Sequence, residues 1–269
     1  FDLSSYNLDY SNNNKITFED FSLVLPLAIG INLSEFKNDY INKLTLTHIQ
    51  FLNISSCKIT ILPKELFNLK QLRSIDCSNN NITVIPVEID KLINLQYFNC
   101  IFNKITVIPE GIGKLINLKK FFCSYNNIST IPAEIGNCIN LQEFNCSHNQ
   151  VAEIPEKIGN CVNLQKFYCH CNLITNIPSN IGKLIKLQEI NCSYNGLSVI
   201  PLEIGKLTNL QKFYCYSNRI TIIPAEIGNL INLEIFDCCE NQVAVIPTEI
   251  GNCKNLKNFR CDANQIISI

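Results

Sequence analysis

The sequence predicts an α/β solenoid: short parallel strands line a concave face, and irregular or 3₁₀ segments return along the convex side. Two observations carry that prediction. Cysteine recurs every 23 residues without a gap, at Cys77, Cys100, Cys123, Cys146, Cys169, Cys192, Cys215, Cys238 and Cys261, and asparagine recurs at the same interval from Asn80 to Asn264. Ile-Pro keeps the same step from Ile85-Pro86 to Ile246-Pro247. A fixed period of this length belongs to architectures in which one unit cannot bury its apolar face alone and stacking closes the core.

The unit reads L-x-x-[FI]-x-C-x-x-N-x-[ILV]-x-x-I-P-x-x-I-G-x-[LC]-x-N, opened by leucine from Leu72 to Leu256. In "LQKFYCHCN", Leu164, Phe167 and Cys169 alternate as a short strand must if it buries one face, leaving Gln165, Lys166, Tyr168 and His170 outside. Asn172 stands where the strand turns away, and its amide is expected to satisfy backbone N–H and C=O groups of the turn. Proline sets the φ of the next turn, and glycine, from Gly113 to Gly251, is expected to end a short helical or 3₁₀ stretch. A degenerate earlier copy begins at Ile49, with Leu52, Ile54, Cys57 at the asparagine place, Ile59 and Leu62-Pro63.

This unit resembles the leucine-rich repeat, L-x-x-L-x-L-x-x-[NC]-x-L, with cysteine at the third leucine position, and its I-P-x-x-I-G segment is similar to the short 23-residue class of that family. The resemblance covers Ile49 to Ile269. It implies a right-handed leucine-rich-repeat superhelix, a protein partner held on the concave face, and a place in intracellular signalling or scaffolding, with a small GTPase or another signalling protein as the partner. Members of this class are also joined to kinases, phosphatases or small-GTPase regulators, so a recognition domain of a larger signalling enzyme is the alternative, beside a secreted or surface adhesin.

Two regions follow. Residues 1–48 lack the repeat, carry a helix-start pattern at Thr17 to Asp20, and are expected to form an N-terminal cap; residues 49–269 form the array, about ten units. The last unit is truncated at Ile269, which predicts that the natural protein continues.

Nine of the fifteen cysteines take the inward strand position, where a free thiol behaves as a small hydrophobe. Cys138, Cys161 and Cys253 replace leucines, and only Cys171 and Cys239 fall at positions expected to face outward. In-register parallel strands point their Cβ atoms alike, which disfavours disulfides between neighbours. A reduced ladder, and with it a cytoplasmic location, is expected. Sequons such as Asn81-Ile-Thr and Asn127-Ile-Ser arise from the repeat template itself.

The formal net charge is −1, from 22 basic and 23 acidic residues, which leaves no electrostatic footprint for nucleic acid or an anionic membrane. No apolar run reaches the roughly 18 residues of a spanning helix, and the stretch Phe21 to Ile31 is broken by Pro26. Paired carboxylates in a pocket, a phosphate-cradling loop and a serine triad are all missing from the sequence. No catalytic residue, cofactor or metal is expected, and the chain reads as a binding module rather than an enzyme. The triplet His148, His170 and Cys171 offers soft ligands but neither a fourth donor nor a supporting set around them.

Function is therefore sought on the outward residues. Aromatic and imidazole side chains collect there: Tyr97, Phe102, Phe122, Tyr125, His148, Tyr168, His170, Tyr194, Tyr214 and Tyr216 are the expected partner-binding set. Phe102, Tyr125, His148, Cys171 and Tyr194 share one place in successive repeats, with Tyr216 close by. A competing reading is inheritance: Phe122, Tyr168 and Tyr214, like Lys120, Lys166 and Lys212, recur at twice the period, as duplication of a 46-residue block would leave them.

Overall fold

The computed structural model describes residues 15–16 and 49–268. Among these residues eleven parallel strands form one sheet in chain order: β1 Lys15–Ile16, β2 Phe51–Asn53, β3 Ser74–Asp76, β4 Tyr97–Asn99, β5 Lys120–Phe122, β6 Glu143–Asn145, β7 Lys166–Tyr168, β8 Glu189–Asn191, β9 Lys212–Tyr214, β10 Ile235–Asp237 and β11 Asn258–Arg260. From β2 onward each strand has three residues and pairs in register with its equivalent one repeat away, as in Phe144 with Phe167 and Phe167 with Ile190. The expected N-terminal cap lies outside the described residues except for β1, which pairs with β2.

The core is a column of stacked layers. Phe98, Phe121, Phe144 and Phe167 are fully buried and stack at centroid distances of 5.5, 5.5 and 5.7 Å with planes nearly parallel. Ile190 interrupts the column, which resumes at Phe213, Phe236 and Phe259. Burying each such side chain contributes about 1.5–3 kcal/mol, and each ring pair about 0.5–1.5 kcal/mol beyond that.

The cysteine ladder is buried as expected from Cys77 to Cys238, with Cys261 half-exposed in the last repeat, and it does more than fill volume. The Cys77 thiol points at the Asn99 carbonyl (3.3 Å), Cys123 at that of Asn145 (3.4 Å) and Cys192 at that of Tyr214 (3.4 Å), each on the next strand. A thiol is a weak donor that leucine lacks. Cys239 corrects the expectation of an outward thiol: it is 6% exposed, with its sulfur 3.4 Å from the Asp262 carboxylate and its N–H on Asp237 Oδ1. The strand has already ended there, so strict alternation no longer predicts which way a side chain faces.

Among the described residues nine five-residue 3₁₀ segments occupy the return path, from Lys64–Asn68 to Thr248–Asn252, and each follows a proline. Proline supplies the extended residue that starts the turn, and the next repeat's packing leaves room for little more than one 3₁₀ turn. The repeat glycines, Gly113 to Gly251, sit inside these segments at the fourth of five residues, and none has a left-handed φ. Their role is clearance rather than the termination expected from sequence. A Cβ on Gly113 would stand 2.6 Å from the Glu134 carbonyl oxygen, and one on Gly205 would stand 2.5 Å from that of Glu226; Gly251 has open space.

Two asparagine ladders tie the coils together. Asn172 accepts from the Val151 N–H (2.9 Å) and donates to the carbonyls of Cys146, Cys169 and His170 (3.0, 3.1 and 3.2 Å), so its amide serves its own turn and the preceding repeat. The second ladder follows the 3₁₀ segments: Asn117 donates to the Ile93 carbonyl, Asn140 to Ile116, Asn163 to Ile139 and Asn209 to Ile185. Lys186 takes the asparagine's place once, and its ammonium turns instead to Asn163 Oδ1 (2.7 Å).

Candidate interaction face

The strands present two outward rows, from their first and third residues. The first-residue row runs Tyr97, Lys120, Glu143, Lys166, Glu189, Lys212, and the third-residue row runs Asn99, Phe122, Asn145, Tyr168, Asn191, Tyr214. Each outward side chain of these rows is half-buried except exposed Lys120. Tyr97 meets Phe122 edge to face at 5.6 Å. Lys120 pairs with Glu143 (3.2 Å) and Lys212 with Glu189 (3.6 Å), leaving Lys166 outside ion-pair distance of both carboxylates. These pairs are solvent-exposed on the lysine side and contribute little, roughly 0–1 kcal/mol each. Burial raises the Tyr168 hydroxyl well above its ordinary value, and the charges of Glu189 and Glu143 add to the effect.

A third row lies just past the strand ends. Phe102, Tyr125, His148, Cys171 and Tyr194 each adopt a left-handed backbone with φ between 51° and 54°, the same position held by Asn79 and Ser217. For a residue with a Cβ this costs about 1–2 kcal/mol, and asparagine is the usual occupant. The aromatic occupants offset part of that by stacking: Phe102 on Tyr125 at 4.3 Å and Tyr125 on His148 at 4.0 Å, with interplanar angles of 21° and 10°. His148 then meets His170 edge to face at 5.2 Å, and beyond the small Cys171, Tyr194 meets Tyr216 at 5.2 Å. Phe102, Tyr125 and Tyr194 remain 49%, 43% and 51% exposed, although a buried site for such side chains would be worth more.

Burial lowers the pKa of His148, and burial followed by the nearness of His148 lowers that of His170. His170 Nδ1 and the neighbouring Ser193 hydroxyl are buried without a protein hydrogen-bond partner. Burial likewise pushes the thiols of Cys146 and Cys192 up to about 12. Among the described residues no group of three or more His, Cys, Asp or Glu side chains is disposed to hold a metal ion, and no helix is long and apolar enough to cross a membrane.

Sequence reasoning placed the aromatic residues in the right rows and missed the left-handed backbone beneath one of them. A signal was present: Asn79-Asn80 puts the residue most tolerant of positive φ at this place in the first full repeat.

Family models agree with this architecture along the chain. A leucine-rich repeat region matches residues 5–124, a two-copy leucine-rich repeat matches residues 139–182 and 185–230, and a single leucine-rich repeat matches residues 117–138. The chain belongs to the leucine-rich-repeat family. No curated protein compared with it matches. Among solved structures, a leucine-rich-repeat protein of Leptospira interrogans is similar at 28% identity and a TM-score of 0.73, over 82% of this chain and 62% of that one. The plant peptide hormone receptor RGFR1, solved in complex with RGF2, is similar at 32% identity and a TM-score of 0.74, over 80% of this chain and 35% of the receptor. An internalin of Listeria monocytogenes shares the fold at 23% identity and a TM-score of 0.73, over 82% of this chain and 63% of that one. This leucine-rich-repeat chain thus spans less than two thirds of the length of each. Its fold is that of a general protein-interaction module.

Proposed function

We propose that the chain is a non-catalytic recognition module that holds a protein or peptide partner against the concave strand face. The observation that supports this most directly is the aromatic row at left-handed positions. The left-handed backbone belongs to every repeat, Ser217, Glu240 and Ala263 included, so the signal lies in the side chains: Phe102, Tyr125 and Tyr194 stay exposed where the core gains nothing from them, which is the pattern of a surface kept for binding. The likeness to a receptor solved in complex with a peptide hormone supports the same use of the fold. The fifteen free cysteines, nearly all buried, support a reducing, cytoplasmic setting. There the family resemblance puts a small GTPase or another signalling protein first among partners.

The test compares capture by the wild-type chain with capture by the double variant Tyr168→Ala, Tyr214→Ala, after circular dichroism shows both folded. A partner retained by the first and lost by the second is expected. Identical recovery overturns the assignment of the face. A second reading, in which the array is the recognition part of a longer signalling enzyme, rests on the family resemblance alone.

A further inference from the structure

The third-residue row of the strands alternates with a period of two repeats: Phe122, Asn145, Tyr168, Asn191, Tyr214. Adjacent strands lie about 4.8 Å apart, so successive aromatic side chains are spaced by about 9.6 Å. Resting on the reading above, we propose that the occupant of this row is an extended proline-rich segment in the polyproline II conformation, with its prolines every third residue.

The spacing selects among backbone conformations. Polyproline II has three residues per turn and rises about 3.1 Å per residue, so the same face returns after about 9.3 Å. A β-strand returns to the same face after about 6.6 Å, and an α-helix after seven residues, about 10.5 Å. Over the two intervals from Phe122 to Tyr214 the polyproline helix drifts by about 0.6 Å and the α-helix by about 1.8 Å, while the strand falls out of step at once.

The residues between the aromatics supply what that conformation needs. A polyproline II backbone makes no internal hydrogen bonds and must have its carbonyls met by donors. Asn145 and Asn191 have their amide oxygens engaged by the Ser147 and Ser193 N–H groups, at 3.0 and 3.1 Å. That orientation leaves each side-chain NH₂ without a protein acceptor on the concave face. The flanking charges largely pair within the face, Lys120 with Glu143 and Lys212 with Glu189, and the row's remaining charge, Lys166, is left to solvent beside an uncharged segment. Aromatic rings with interleaved donors are how proline-rich segments are recognised in general.

The experiment pans a phage-displayed library of random dodecapeptides on the immobilised 269-residue chain, then measures enriched clones and an oligoproline dodecapeptide by fluorescence anisotropy. Clones with prolines at i and i+3 are expected. Their affinity should fall about tenfold or more in Tyr168→Ala and about fivefold in Asn145→Leu or Asn191→Leu, and a Gly/Ser peptide of equal length should bind at least about tenfold more weakly than oligoproline. Clones that lack spaced prolines yet lose binding in Tyr168→Ala overturn the polyproline assignment and leave the concave face standing. Clones indifferent to Tyr168→Ala and Tyr214→Ala, or no enrichment at all, overturn both.

Discussion

The same substitution, glycine to alanine, has opposite consequences at two equivalent places in this molecule. Gly205 and Gly251 both occupy the fourth residue of a five-residue 3₁₀ segment. At either place alanine restricts the unfolded chain, a gain of about 0.4–1 kcal/mol. At Gly205 the added methyl would stand 2.5 Å from the Glu226 carbonyl oxygen and 2.7 Å from the Glu226 Cβ, both fixed parts of the next repeat. Relief requires the two coils to move apart, which costs roughly 1–3 kcal/mol as overpacking does elsewhere. At Gly251 nothing lies within 4 Å. Gly205→Ala is therefore expected to destabilise by about 1–2 kcal/mol net, and Gly251→Ala to stabilise by up to about 1 kcal/mol. Urea unfolding followed by far-UV circular dichroism, with the shift in midpoint compared between the variants, checks both. Shifts of the same sign and size would refute clearance as the reason for the glycines.

Asn172→Ala removes the partner of the buried Val151 N–H and thins the bonds to three carbonyls, so a loss of about 1–3 kcal/mol is expected in the same unfolding assay. Thiol labelling at pH 8 should reach Cys57, Cys171 and Cys261 in the folded chain, since these alone are half-exposed, and all fifteen after denaturation; prompt labelling of Cys146 or Cys192 in the native state would contradict their burial. His148 and His170 titrate below the unfolded imidazole value of about 6.5. Between those two ranges the unfolded chain binds more protons. Stability contributed by these groups is thus present above pH ~6.5 and lost as the pH falls through it. Melting temperatures from pH 7.5 to pH 5 should fall less steeply in His148→Gln, His170→Gln than in the wild type.

The strand positions, the turn asparagines and the inward cysteines were legible because each repeats at one interval and each answers to a local rule: period-two burial for Phe167 and Cys169, backbone satisfaction for Asn172. What escaped the sequence depends on contacts between repeats. Gly205 reads like a helix terminator until the Glu226 carbonyl is placed against it, and Cys239 reads as outward until the strand is seen to stop at Asp237. The rows of Tyr168 and His148 could be assigned from spacing. The stacking of His148 on Tyr125 could not, because it follows from a left-handed backbone that nothing in an aromatic residue announces.

The change of residue in the second asparagine ladder at Lys186 alters how one turn of the coil is clasped. Wound as a spring, the molecule carries side-chain amides that each grip a backbone carbonyl of the preceding turn; at Lys186 the grip passes to an ammonium on the Asn163 amide oxygen, so this clasp, unlike its neighbours, is charged and runs from side chain to side chain.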